Sequence, residues 1–167
     1  MLLDPQQYER PRLAYRDVAS ATNRLTLIAA VLPANCVSTH TVFCLRTPLS
    51  LAAQHFLCGL FNSFVVNYLV RMRVTTHVTT STVERLPIPS RDDSPRTFRE
   101  IAALARRLSR RDDRDASARL QAMVAAFYQL TADEFAHVLA TFPLIAKAER
   151  DLAFDTYVAT EAQRTQR

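Results

Sequence analysis

Two arginines, one histidine and a run of hydroxyls crowd a single short stretch, from Arg71 and Arg73 through Thr75, Thr76, His77, Thr79, Thr80 and Ser81. These side chains suit a nucleic acid. Guanidinium groups neutralise phosphates or fork onto a guanine edge. Hydroxyls donate to phosphate oxygens or touch base edges, and a threonine methyl packs on a thymine methyl. An imidazole donates or accepts. The plainer reading is a loop whose hydroxyls cap their own backbone.

Other chemistry is poorly provided for. Gly59 is the only glycine, so no glycine-rich nucleotide loop can form, and Lys147 is the only lysine, so there is no P-loop. Ile145 stands where an acid-x-Lys nuclease ending would need its acid. No two prolines are adjacent, which excludes the Asn/Asp-Pro-Pro-aromatic motif of amino-group DNA methyltransferases. His40, His55, His77 and His137 are scattered. Cys36, His40 and Cys44 hint at a metal, but in a strand a spacing of four residues puts neighbours about 13 Å apart. One zinc ion holds its ligands at about 2.0 to 2.3 Å. The chain alone is expected to bind no metal and to catalyse nothing.

The charge suits either an anionic partner or a plain solvated surface, since 20 of the 21 basic residues are arginine. Residues 1–119 hold 17 arginines and 10 acids, whereas residues 120–167 hold 4 basic residues and 6 acids. A cationic first part suits DNA. The three cysteines are an odd number and no leader is evident, which fits a reduced, cytoplasmic setting.

These side chains need a frame. Residues 12–19, 25–33 and 36–45 read as three strands of a small antiparallel sheet, the first two joined by a polar turn at Thr22-Asn23-Arg24. Residues 47–70 carry no charge over 24 positions, long enough to span a bilayer. Yet Leu57, Leu60, Phe61, Phe64, Val65, Tyr68, Leu69 and Met72 keep a 3.6-residue period, with Gln54, His55, Asn62, Ser63 and Asn67 on the other side. A one-sided helix belongs to a core. The spacing therefore predicts one long soluble helix over 49–72, capped by Ser50, with Asn67 at its edge or surface. An exposed loop follows, with a short strand near 83–88. Helices are predicted within 95–110, 115–130 and 131–142, the third opened by a Thr131/Glu134 capping box, and a frayed helix over 150–164. The fold class is α+β: a small antiparallel sheet on a long core helix, then a helical segment. The division is 1–90 and 91–167.

Three stretches, "RLAYRDVASATNRLTLIAAVLP", "LCGLFNSFVVNYLVRMRVTTHVTTSTVERLPIP" and "YQLTADEFAHVLATFPLI", together resemble the C-terminal part of large adenine-specific DNA methyltransferases. These include the single-chain type IIG restriction–modification enzymes and related phage-defence methyltransferases. The first two stretches look like a target recognition domain and the third like the helical tail after it. The resemblance implies double-stranded DNA as partner and a part in choosing the methylated sequence. It implies that S-adenosylmethionine binds a separate catalytic domain, which has no counterpart here, so this chain is expected to carry no cofactor.

Residue by residue, Arg16, Thr22, Asn23, Arg24 and Thr26 match the family's basic-polar hairpin, and Asn62 and Ser63 match a structural pair in the supporting helix. Arg71, Arg73, Thr75, Thr76, His77, Thr79, Thr80 and Ser81 match the connection after that helix, the group expected to contact DNA. The arginines of 99–111 could add phosphate contacts, but Asp112, Asp113 and Asp115 beside them read as a solvated face. The rival readings are a helical module that docks on a separate methyltransferase chain and a small membrane protein built on residues 47–70.

Overall fold

The computed structural model describes residues 8–46, 48–74 and 76–165. Among these, β1 (Arg12–Arg16), β2 (Ala29–Leu32) and β3 (Val42–Cys44) form an antiparallel sheet in the order β2-β1-β3. In β1, Leu13, Ala14 and Tyr15 are all buried. The Tyr15 ring packs 5.8 Å from that of Phe43, its partner on β3. The strands are shorter than the alternating pattern predicts, and residues 17–28 run as a long irregular connection.

The predicted long helix is two helices, α1 (Leu51–Phe61) and α2 (Phe64–Arg71). Ser50 caps α1 as expected, accepting from the Ala53 amide at 3.2 Å. The break lies at Asn62 and Ser63, whose side chains compete for the backbone. Asn62 Nδ2 donates to the Cys58 carbonyl at 2.9 Å, and Ser63 Oγ donates to that of Leu60 at 2.6 Å. Ser63 then accepts from the Val66 amide and starts α2. Gln121 Oε1 takes up the Phe64 amide at 2.8 Å, so the buried helix start keeps no orphan there.

The placement of Asn67 differs from the sequence expectation. It is fully buried. Its Oδ1 accepts from the amides of Thr26 at 2.9 Å and Leu27 at 2.8 Å, while Nδ2 donates to the carbonyls of Leu27, Phe61 and Ser63. The amide does for residues 26–27 what a neighbouring strand would do. Asn62 does the same at Ala29, donating to its carbonyl at 2.8 Å and accepting from its amide at 3.1 Å. That helix-to-sheet bonding is the structural role expected of Asn62.

No strand forms near 83–88: a one-turn helix, α3 (Thr80–Glu84), capped by Thr79, ends at 84, and 85–88 are a turn and irregular chain. The hydroxyl cap outweighs the β preference of the threonines. Next come α4 (Pro95–Leu108, N-cap Ser94), α5 (Arg114–Phe127, N-cap Asp113), α6 (Ala132–Ala140) and α7 (Lys147–Thr165). The Thr131/Glu134 capping box is present.

α1 packs on α4 and α5 packs on α7. The Phe56 ring lies 4.5 Å from Phe98, Phe64 lies 5.1 Å from Phe142, and Phe135 lies 5.2 Å from Tyr157. One buried cluster runs from Leu13 to Tyr157, so the core crosses the division at residue 90. Among the described residues no helix is long and apolar enough to cross a membrane.

Candidate nucleic-acid interface

The hydroxyl-rich segment is held by its backbone. Val78 donates its amide to the Asp17 carbonyl at 2.9 Å, and the Ala19 amide donates to the Thr76 carbonyl at 3.1 Å. This antiparallel bridge pairs Val18 with His77. Val74 and Val78 are buried and act as two pegs. Between and beyond them Arg73, Thr76, His77, Thr79, Thr80 and Ser81 are exposed. Thr75 lies outside the described residues.

His77 Nδ1 lies 3.3 Å from Asp17 Oδ2, which steadies the ring; with the proton on Nδ1, Nε2 is left as an acceptor. Residues opposite each other across a bridge point the same way. Val18, half exposed, therefore stands beside His77 as an apolar contact that the sequence did not single out. Thr79 is committed to capping, accepting from the Thr82 amide at 3.3 Å with the two hydroxyls 3.0 Å apart. Thr80 and Ser81 stand in the first turn of α3.

The two arginines part company. Arg73 is exposed and its guanidinium meets no partner among the described residues. Arg71 turns inward. Its Nη1 donates to the Thr141 carbonyl at 2.7 Å, Nη2 donates to the carbonyls of Asn23 and Arg24, and Nε donates to Thr26 Oγ1 at 3.3 Å. The guanidinium also lies 4.0 Å over the Phe142 ring. Burial lowers its pKa, but it remains a cation.

The hairpin residues are partly engaged as well. Asn23 Oδ1 accepts from the Ser20 amide at 3.1 Å and closes the turn. Arg24 pairs with Glu149 of α7 at 2.7 Å. Thr22 shares a hydroxyl contact with Ser20, and Thr26 is fully buried. Arg16 is half-buried, and its Nε and Nη2 atoms are buried without partners among the described residues. The structure thus sets the 17–26 connection beside residues 71–78, with Asn67 beneath and Arg71 across the join.

The local field is mixed. The Tyr15 hydroxyl is pushed up to about 12, first by burial and then by the charges of Asp17 and Glu84. The Asp17 carboxylate lies against His77, and Glu84 ends the short helix that follows the segment. Among the described residues no three His, Cys, Asp or Glu side chains gather into a group that could hold a metal ion, and Cys44 Sγ lies 3.2 Å from the Ser38 hydroxyl. Compared with known proteins, the chain matches no family model, no curated protein and no solved structure.

Proposed function

We propose that this chain is a DNA-binding specificity module of an adenine-specific DNA methyltransferase system, with methyl transfer left to a separate domain or chain that binds S-adenosylmethionine. One observation carries the reading. Thr76, His77, Thr80 and Ser81 are exposed on a backbone pinned by the buried Val74 and Val78 and bridged to residues 17–19. Donors and acceptors fixed on a rigid frame are what base-edge recognition needs. Arg73 adds a phosphate contact beside them. The test is titration of the pure chain into duplex DNA over a salt series. Binding that weakens steeply with salt is expected. Salt-independent binding, or none at low salt, would overturn the reading.

A second reading, a helical module that docks on a methyltransferase chain, is favoured by an open groove between residues 87–97 and the helices α4, α5 and α7. Ile88, Met123 and Phe127 line it, with Arg96 and Arg119 among its polar residues. Co-purification with such a chain in the absence of DNA would favour this reading over the first.

A further inference from the structure

The loop at residues 73–81 leaves a question of affinity. Asp17 lies 3.3 Å from His77, Glu84 ends the short helix just beyond, and Arg71 is engaged inside the fold. A protein that holds a duplex needs several cations free to meet phosphates.

The arginines of α4 are sorted by the fold. On one flank, Arg96 and Arg119 both pair with Glu100, at 2.8 and 3.2 Å. Arg107 and Arg111 both reach Asp113. Glu100 and Asp113 are thus used on that flank, while Asp112 and Asp115 are exposed with no ion pair among the described residues. Arg99, Arg106 and Arg110 are exposed, with no acidic partner among the described residues. At about 100° per residue, Arg99 and Arg106 point within about 20° of each other. Arg110 follows in the hydrogen-bonded turn that ends the helix, its amide donating to the Arg107 carbonyl at 3.1 Å. Ala103, also exposed, is the one residue between them on that line, so nothing bulky interrupts it.

His55 of α1 reports the convergence of two of these charges. Its pKa is lowered first by burial and then by Arg106 and Arg110, and its Nδ1 is buried without a partner among the described residues. Eleven residues at about 1.5 Å give a line of about 16 Å. That spans about five nucleotide rises of 3.4 Å along one strand. The line and the loop are linked through the fold: α4 packs on α1, and the chain runs from α1 through α2 into residue 73.

We propose that Arg99, Arg106 and Arg110 form a contact line for the phosphate backbone of duplex DNA, separate from the loop that reads base edges. The inference rests on the DNA-binding reading above. It assigns affinity to α4 and sequence choice to residues 76–81.

The experiment compares two triple variants of the full chain by titration with one duplex over a salt series. In the first, Arg99→Gln, Arg106→Gln and Arg110→Gln remove the unpaired line. In the second, Arg96→Gln, Arg107→Gln and Arg111→Gln remove the same formal charge from acid-paired positions. Glutamine keeps helix propensity, and circular dichroism verifies that each variant is folded. The first variant is expected to lose roughly 2 to 3 units of log–log salt slope, at about 0.9 per phosphate contact, and the second less than about 1. Equal losses would show a bulk charge effect and overturn the contact line. An unchanged slope in the first variant, with the wild-type chain still binding, would overturn it too. A wild-type chain that binds no duplex at low salt would overturn the DNA reading itself, and the line with it.

Discussion

Arg71 donates to the Thr141 carbonyl at 2.7 Å across 70 positions of sequence, joining the polar hairpin to the helical tail. The same guanidinium holds the carbonyls of Asn23 and Arg24 and covers Phe142. One planar fork reaches four acceptors from fixed directions, one more than the three N–H groups of an ammonium could serve.

Arg71→Ala should therefore lower stability by about 1.5 to 3 kcal/mol or more, the scale of a hydrogen bond made by a charged group. Arg71→Lys should recover only part of that. Arg73→Ala should leave stability within about 0.5 kcal/mol and weaken DNA binding instead. Urea denaturation of the three variants measures the difference. Equal stability of the Arg71→Ala and Arg73→Ala chains would show that the clamp does not hold the fold.

Asn67 gives a larger effect. Asn67→Ala leaves the buried amides of Thr26 and Leu27 and the carbonyls of Leu27 and Phe61 without the partners that the side chain supplies, while the Ser63 carbonyl keeps the main-chain amide at 67. Each unsatisfied buried group costs about 1 to 3 kcal/mol. A total of several kcal/mol is a large part of the roughly 5 to 15 kcal/mol that a domain has. The variant should be largely unfolded, or molten by near-ultraviolet circular dichroism, at temperatures where Tyr68→Phe remains native. A sharp, near-wild-type melt of Asn67→Ala would contradict this.

Asn67 also marks what the sequence could and could not reveal. The helices over 95–108, 114–127 and 132–140 were legible from their apolar period, and the third also from its capping box, and the α+β class followed from them with the strand pattern. A polar residue off the apolar face reads as exposed, and Asn67 is buried because its amide substitutes for a strand. Nothing local signals that substitution. Asn62 and Ser63 look like tolerated polar residues until their bonds to the preceding carbonyls end the helix. At the candidate site, exposure of Thr76, His77, Thr80 and Ser81 was legible, since hydroxyl-rich connections stay on surfaces. The inward turn of Arg71 was not, because its acceptors are carbonyls brought near only by tertiary packing. The same holds for the arginines of 96–111, where adjacency to Asp112, Asp113 and Asp115 cannot show which charges pair.

Gly59 is required by the closeness of α1 and α4. A Cβ there would meet Ile101 Cγ2 at 2.8 Å, Leu120 Cδ1 at 3.2 Å and Ala105 Cβ at 3.3 Å. Gly59→Ala gains about 1 kcal/mol of helix propensity. It should lose more through overpacking, at about 1 to 3 kcal/mol, because the methyl of β-branched Ile101 has little room to turn. The expected outcome is a lower denaturation midpoint than wild type. A higher midpoint would show that the crossing can spread freely.

Acid should weaken the start of α5 in a way that depends on one carboxylate. The Asp113 pKa is lowered, first by the bond from the Ala116 amide and then by Arg107. A lowered folded pKa means stability that is present above the ordinary aspartate value of about 3.9 and lost as pH falls through the folded value. Asp113→Asn keeps a capping acceptor without the charge. Between about pH 5 and pH 2 the melting temperature of the wild type should fall more steeply than that of Asp113→Asn. Parallel curves would mean that the charge adds nothing to the cap.

The last prediction concerns sequence choice at residues 76–81. Thr76, His77, Thr80 and Ser81 are exposed, and the backbone beneath them is fixed by the Val18–His77 bridge. His77→Ala removes an oriented ring without disturbing the two bridge hydrogen bonds, which are made by the main chain. It should therefore leave the melting temperature almost unchanged. If His77 meets a base edge, its loss should change relative affinity among duplex sequences by about 1 to 3 kcal/mol while keeping the salt slope. Val18→Ser should act similarly if its exposed methyls lie on a thymine methyl. Thr79→Ala is the contrasting case. Its hydroxyl caps α3, so it should reduce stability by about 0.5 to 2 kcal/mol and shift sequence preference little. Selection of bound duplexes from a random pool, run on wild type and the three variants, measures all of this at once. A His77→Ala pool with the same enriched sequences as wild type would remove base reading from this segment and leave it a structural connection.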